Sequence, residues 1–171
     1  MNKLQFLSGL IIVNIFCVHS LSAKNISVRK SASTVSLTRL SLEKATEVAK
    51  AAIVACRKKG IQIAATVVDR NGIVQVTLRD TITAPFAIRM SIQKAYTAAN
   101  FSADTSSLKR QANSPIGRAD GVMMSAGGVV IKVGGKLLGA VGVSGAPSGL
   151  TDEQCAKAGL KKLKADLELD L

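Results

Sequence analysis

Apolar residues recur every three to four positions in three parts of the chain, a spacing that is typical of amphipathic helices. The first part, residues 42–58, follows Ser41, and serine commonly caps helix N-termini. The second part covers residues 86–100. The third begins at Thr151, where Gln154 three residues later completes a capping box. The pattern therefore predicts three helices.

Runs of apolar and β-branched residues between these helices predict strands. The runs come in two pairs, residues 61–69 with 73–79 and residues 129–133 with 136–144. Asn71-Gly72 and Gly134-Gly135 separate the members of each pair, and both dipeptides favour tight hairpin turns. Hairpins produce antiparallel pairing. We therefore predict an α/β fold of the α+β type, with a mostly antiparallel sheet of about five strands flanked by helices in the order α-β-β-α-β-β-α.

The first 23 residues have the pattern of a secretory signal. Lys3 precedes an apolar run at residues 10–18, and small residues follow, ending at Ala23. The run is too short to span a bilayer, and no second hydrophobic span follows it. We expect a cleavable signal peptide over residues 1–23 and a periplasmic or secreted protein without a transmembrane span. The alternative is an uncleaved membrane anchor.

The remaining chain divides into a leader and one domain. Residues 24–38 are rich in Ser, Thr, Lys and Arg and show no sustained period, which predicts a flexible leader. Residues 39–171 contain all the predicted helices and strands and form the predicted domain. Residues 102–120 are polar and are expected to form a loop within it.

Cleavage after residue 23 removes His19, the single histidine of the chain. Without it, a Ser-His-Asp or Cys-His catalytic centre and a His-based zinc site are excluded. Residues 142–146 (GVSGA) resemble a nucleophile elbow, but Ala146 stands where that motif requires a second glycine. We predict no catalytic residue from these motifs.

Two cysteines, Cys56 and Cys155, remain after cleavage, and in an oxidising compartment they form a disulfide or stay as two buried thiols. The net charge falls from +12 to +11, because Lys3 is the only charged residue removed. A basic protein favours anionic partners, although a solvated basic surface is the simpler interpretation. Nucleic acid is not expected as a partner, since few aromatic residues are left for base stacking.

The second predicted helix carries polar residues on an otherwise apolar sequence. Ser91, Lys94 and Thr97 are spaced three apart and nearly share a face, with Tyr96 beside them. Such a stripe lines a ligand pocket or faces solvent, and the spacing leaves both interpretations open. Two further side chains, Met123 and Met124, are soft ligands or core fillers.

Carboxylates elsewhere have structural interpretations. Asp69 ends a predicted strand just before a turn, where a turn-capping carboxylate is favoured over a metal or catalytic role. Asp152 and Glu153 lie in the first turn of the last predicted helix, where they favour its dipole.

Four segments together resemble the GlcG/HbpS family, which includes the PduO C-terminal domain. They are VVDRNG at residues 67–72, KAYTAA at 94–99, GAVGVSGAPSG at 139–149 and DEQCA at 152–156, within a resemblance that covers about residues 40–163. The resemblance implies a homo-oligomer and, for the exported branch, haem binding linked to haem turnover or redox sensing. It places Lys94 and Thr97 near the ligand, and it implies that Gly145, Ala146 and Pro147 shape a pocket or a subunit contact.

The sequence departs from a usual haem protein, because the mature chain has no histidine for the iron. Thr97, Tyr96 or a methionine would then be the ligand, or the site would take another planar or anionic molecule. We favour an exported protein that binds haem or a related small ligand over an enzyme. The alternative is an enzyme or accessory factor that acts on a small organic acid or a redox-active molecule.

Overall fold

The structure is a computed structural model that describes residues 33–169, without the side chains of residues 162–163 and 165–169. The predicted signal peptide at residues 1–23 and most of the predicted leader lie outside the described residues. Within them, none of the helices combines the length and the hydrophobicity that crossing a membrane requires.

The described residues form three α-helices, which are α1, Leu42–Arg57, α2, Phe86–Phe101, and α3, Gly149–Leu169. Ser41 caps α1 as predicted, because its Oγ accepts a hydrogen bond from the Lys44 amide at 3.2 Å. The predicted start of α3 at Thr151 is wrong by two residues. The Ser148 side chain supplies the cap instead, since its Oγ accepts from the Thr151 amide at 3.1 Å.

The sheet has four strands rather than about five. They are β1, Ala64–Asp69, β2, Val74–Arg79, β3, Gly128–Val133, and β4, Lys136–Ser144. All neighbours are antiparallel, and the order across the sheet is β2-β1-β4-β3. The α+β class and the order α-β-β-α-β-β-α are confirmed. Residues 102–120, predicted as loop, contain two short 3₁₀ helices, Thr105–Gln111 and Pro115–Arg118.

Helices cover both faces of the sheet. Val67, Val141 and Val143 point to one face, where they form a core with α1 and α3. Their neighbours Val68 and Ala140 point to the other face, where they pack against the alanines of α2. Alternation along each strand therefore places a hydrophobic layer on each side, as a sheet buried between helices requires.

Small residues allow α2 to lie directly on β4. At Gly142 a side chain would overlap the carbonyl oxygen of Ser91 on α2, so only glycine fits between the two backbones. Ala95 is fully buried beside it. The low aromatic content of the chain, 3%, is consistent with this close packing, because alanine and glycine replace bulky side chains at the interface.

The structure joins α1 and α3 through a disulfide between Cys56 and Cys155, with the two sulfurs 2.07 Å apart. Both cysteines are fully buried in the core on that side of the sheet. The bond closes a loop with a sequence separation of 99 residues. It therefore ties the first helix of the domain to the last.

Candidate functional site

Lys94 is buried in the middle of α2, with a residue exposure of only 2%. Its ammonium donates to Asp152 Oδ2 on α3 at 2.8 Å and to the carbonyl oxygen of Val143 on β4 at 3.1 Å. A buried charge requires such partners, because leaving it unpaired away from water is costly. The side chain therefore links α2, β4 and α3 through one ammonium group.

Asp152 is the other half of this pair and connects it to the loop after β4. Its Oδ1 accepts a hydrogen bond from the Ala146 amide at 2.9 Å, while Oδ2 faces Lys94. Burial raises the pKa of Asp152, and the hydrogen bond and charge of Lys94 offset this rise only in part. The predicted role of Asp152 in the helix dipole is thus joined by a role in holding Lys94.

The other polar residues of α2 also have partners within the protein. Ser91 Oγ lies 2.7 Å from Thr66 Oγ1 on β1, and both residues are fully buried. Thr97 Oγ1 donates to the carbonyl oxygen of Gln93 at 2.7 Å and accepts from the Met123 amide at 2.8 Å. These side chains point neither to solvent nor to a cleft in the described part of the chain. Their predicted role in ligand binding stays a prediction.

Tyr96 lies on the remaining face of α2 and is partly exposed. Its ring covers the glycines of two turns, since a Cβ at Gly72 would lie 2.8 Å from the ring and a Cβ at Gly121 would lie 3.6 Å from it. Gly72 has a φ of +82°, which glycine adopts readily. The ring thus packs against the β1–β2 turn.

The loop after β4 contains the predicted pocket residues Gly145, Ala146 and Pro147. Gly145 has a φ of +127°, and Pro147 is exposed. Ala146 is anchored to Asp152 through its amide, so the loop is held against the start of α3. The loop therefore borders the Lys94–Asp152 pair.

A cleft of about 410 Å³ lies next to this loop, and we refer to it as the α3 cleft. It is bounded by the Thr105–Gln111 helix, by the segment before β3 and by the start of α3. Its lining residues are Ser106, Lys109, Met124, Ser125, Ala126, Ser148, Gly149 and Leu150. The volume falls within the range of small-molecule sites, and the lining mixes apolar side chains with hydroxyls and one ammonium.

The Lys94–Asp152 pair supports two walls of the α3 cleft. Gly127 follows the lining residue Ala126, and a Cβ at Gly127 would lie only 2.8 Å from Lys94 Nζ. Asp152 lies two residues after Leu150, which also lines the cleft. The pair therefore borders both segments, which also pack directly on each other, since a Cβ at Gly149 would lie 2.6 Å from the carbonyl oxygen of Ala126.

Ser106 is the polar side chain of the cleft with the most defined environment. Its hydroxyl donates to Glu153 Oε1 on α3 at 2.9 Å. Lys157 donates to the same oxygen at 2.6 Å and lies 3.1 Å from Asp104 Oδ2. The Thr105–Gln111 helix is therefore attached to α3 by a network of side chains.

The metal-binding potential of the described residues is limited. They contain no group of three or more His, Cys, Asp or Glu side chains that could hold a metal ion. Met124 is buried, with 7% of its surface exposed, and it lines the α3 cleft. Asp69 caps a turn, since its Oδ1 accepts from the amides of Asn71 and Ile73.

Among the side chains that line the cleft, Met124 was a candidate from its residue type, whereas Ser106 and Lys109 were not. These two residues come from a segment interpreted as loop, so no periodicity marked them. The buried ion pair of Lys94 was predictable in part, because a lysine that is buried on an apolar helix is almost always paired. Asp152, in the motif DEQCA, was a candidate for the carboxylate that pairs with Lys94.

Comparison with known proteins identifies the family. The model of the family described as haem degrading protein HbpS-like matches residues 40–161. A crystal structure of an HbpS double mutant from Streptomyces reticuli is 40% identical, with a TM-score of 0.73, and the match covers 78% of this chain and 93% of that chain. Comparison with curated proteins gives no significant match.

Two more distant structures share the fold. The ORFY protein of Klebsiella pneumoniae is 20% identical with a TM-score of 0.71, over 77% of this chain and 94% of that chain. PduOC, solved as a haem complex, is 21% identical with a TM-score of 0.67, over 72% of this chain and 94% of that chain. The family match over residues 40–161 and the 40% identity to HbpS show that the chain belongs to the family described as haem degrading protein HbpS-like.

Proposed function

We propose that this chain binds haem, and that the α3 cleft is where it binds. The observation that carries the proposal is the cleft itself, which combines apolar walls, hydroxyls and an ammonium in a member of a family described as haem-degrading. The distant relative PduOC was solved as a haem complex, so a protein of this fold can hold haem. The proposed role is in haem handling or redox sensing, as the resemblance implies.

The side chains of the cleft fit the chemical groups of haem. Met124, Ala126 and Leu150 offer apolar surface for the macrocycle, and Leu150 is 63% exposed, so it is free to cover a ligand. Lys109 is an exposed ammonium suited to a propionate carboxylate. Methionine is a known ligand of haem iron, so the Met124 thioether is one candidate donor. The Ser106 hydroxyl is the other, since it offers an oxygen as tyrosine does. Bound haem would supply a redox-active iron.

The protein's contribution is to hold the walls of the cleft in place. The Lys94–Asp152 pair attaches the start of α3 to α2, and Lys94 packs beside Gly127 in the segment before β3. Ser148 caps α3 and lines the cleft at the same point. A preformed site loses less free energy to ordering when a ligand binds.

Haemin titration followed in the Soret region tests the proposal. The wild type should give a saturable shift at micromolar haemin. Ser125→Trp fills the cleft and should abolish the shift, and Lys109→Ala should weaken binding by about tenfold, the loss of one charge-assisted contact. Lys136→Ala is the matched control, because Lys136 is an exposed lysine at the start of β4, outside the cleft. Equal affinities of all four proteins would reject the cleft as the site.

The alternative hypothesis, an enzyme acting on a small organic acid, has less support. Its basis was the polar stripe of α2, and the amine of Lys94 is committed to Asp152 and Val143. Ser91 and Thr97 are fully buried with partners of their own. We therefore favour ligand binding in the α3 cleft over catalysis on α2.

We also propose that the chain is exported and assembles as a homo-oligomer. The Cys56–Cys155 disulfide supports export, because such bonds persist in oxidising compartments. Exposed apolar side chains such as Ile82 and Phe86, at 79% and 65%, support a subunit contact. Native mass spectrometry of protein from its own compartment would report the mature N-terminus and the subunit number. A full-length monomer with free thiols would contradict both.

A further inference from the structure

Ser106 donates a hydrogen bond to Glu153, a glutamate on α3 that is buried. Glu153 is buried, with 5% of its surface exposed, although glutamate is rarely buried. Its Oε1 accepts hydrogen bonds from Ser106 Oγ and Lys157 Nζ, while its Oε2 is buried without a hydrogen-bond partner among the described residues. Burying a carboxylate this deeply, with one oxygen unpartnered, costs free energy.

The direction of the Ser106 hydrogen bond determines what the hydroxyl offers to a ligand. A carboxylate only accepts hydrogen bonds, so the Ser106 proton is committed to Glu153. The lone pairs of Ser106 Oγ then remain for the α3 cleft, which this residue lines. A hydrogen bond to a carboxylate also increases the electron density on the donor oxygen, as partners of metal ligands do.

The placement of Lys109 adds a second polar point on the same wall. Ser106 and Lys109 are three residues apart on the Thr105–Gln111 helix, and residues at this spacing in a 3₁₀ helix lie on the same side. Both line the cleft. One wall therefore presents an electron-donating oxygen beside an ammonium, a pattern complementary to a ligand with an electron-poor centre and an anionic group.

We propose that Glu153 is a positioning residue that makes Ser106 an electron-donating oxygen in the α3 cleft and so favours metal-containing over metal-free tetrapyrroles. Glu153 acts through Ser106 and does not itself touch the ligand. This inference rests on the proposed haem-binding function, since it assigns the metal selectivity of the same cleft.

The test compares haemin with metal-free protoporphyrin IX, which has the same propionates and a similar macrocycle but no iron. Dissociation constants are measured for the wild type, Ser106→Ala, Glu153→Gln and the double variant. Each single variant should lose about tenfold or more in haemin affinity, as loss of an outer partner of a metal ligand does, with protoporphyrin affinity unchanged. The double variant should be no weaker than Ser106→Ala, because both changes remove the same interaction.

Lys157→Met is the matched control, because it removes the other donor to Glu153 Oε1 and leaves the Ser106 contact in place. It should retain the preference for haemin over protoporphyrin. The Soret maximum of the haemin complex should move in Ser106→Ala and Glu153→Gln but not in Lys157→Met. This spectral difference separates an effect on the iron from a general loss of structure.

Three results would overturn the inference. The first is haemin binding by Glu153→Gln that equals that of the wild type. The second is an equal loss of both ligands in the two single variants, and the third is loss of the haemin preference in Lys157→Met. If Glu153→Gln does not fold, Ser106→Ala alone decides, since an unchanged haemin preference in that variant rejects the role of Ser106. Failure of the wild type to bind either tetrapyrrole would instead reject the proposed function itself.

Discussion

The ammonium of Lys94 and the carboxylate of Asp152 form an ion pair of 2.8 Å whose side chains are only 2% and 4% exposed. The pair joins α2 to α3 beside the C-terminal end of β4, and Asp152 also holds the loop after β4 through the Ala146 amide. Buried pairs of this kind add little net stability compared with apolar packing, but breaking one leaves a charge unpaired. Here the pair connects α2 to α3 beside the segment before β3, which lines the α3 cleft.

Lys94→Met should destabilise the domain by about 3–5 kcal/mol at neutral pH, because it leaves Asp152 buried without its counter-charge. Lys94→Met combined with Asp152→Asn should recover most of that loss, since the asparagine is neutral and still accepts from the Ala146 amide. Urea unfolding of the three proteins measures the difference. A loss under about 1 kcal/mol in the single variant would mean that the pair is not buried as described.

The stability of Lys94→Met should also depend on pH. In the wild type, burial already raises the pKa of Asp152 above its ordinary value. The hydrogen bond and the charge of Lys94 both lower this pKa, so their removal should raise it further. A folded-state pKa above the unfolded one means that the folded state binds more protons, so stability falls as pH rises through that pKa. The stability that Lys94→Met loses relative to the wild type should be smallest in acid. The double variant should not show this pH dependence, because it has no carboxyl group at position 152. Unfolding curves from pH 4 upward test this, and a pH-independent deficit would contradict it.

Removing the disulfide should have a large effect on stability. Cys56→Ala with Cys155→Ala opens a loop with a sequence separation of 99 residues, for which chain entropy gives about 4–5 kcal/mol. Denaturant unfolding of the oxidised wild type and the double variant measures the loss. A stability change below about 1 kcal/mol would show that the bond does not constrain the unfolded chain.

Gly142→Ala should separate α2 from β4. A Cβ at this position overlaps the Ser91 carbonyl oxygen, and overpacking of this kind costs about 1–3 kcal/mol. Gly134→Ala is the matched control, because it lies in an open turn with a φ of +54° and its cost is limited to backbone strain of about 1 kcal/mol. Thermal unfolding compares the two. A larger fall in melting temperature for Gly134→Ala than for Gly142→Ala would show that α2 and β4 are not in tight contact at Gly142.

Acid should weaken the contact between the end of α1 and the segment after β2. Arg57 donates two hydrogen bonds of 2.7 Å to Asp80, and these lower the pKa of that carboxyl. A lowered folded-state pKa contributes stability above the unfolded value of about 3.9, and this contribution is lost as pH falls through the folded one. Asp80→Asn should lose less stability than the wild type over that range. Equal acid sensitivity of the two proteins would contradict the assignment.

The fold was predictable because its signals are local. Ser41 marks the start of α1, and Asn71-Gly72 marks the first hairpin. The start of α3 was misplaced because Ser148 and Thr151 are both good capping residues, and the sequence does not show which amide is left without an acceptor. The α3 cleft was not predictable, because it is assembled from three segments that are distant in sequence.

The polar residues of α2 show a second limit of sequence analysis. Their spacing placed Ser91, Lys94 and Thr97 on one face, and the structure does turn that face inward. A spacing cannot tell whether the inward face meets a ligand or the sheet, because both environments favour isolated polar groups among apolar ones. Here the hydroxyls meet Thr66 and Met123, and the ammonium meets Asp152.

Anomalous diffraction at the iron edge, from crystals of the protein grown with haemin, tests the central claim most directly. We expect one strong iron peak inside the α3 cleft, bounded by Ser106, Met124 and Leu150. An iron peak beside Tyr96 and Thr97, or on a surface outside the cleft, would contradict the assignment of the site. Crystals from a saturated haemin solution with no iron peak at all would contradict haem binding itself.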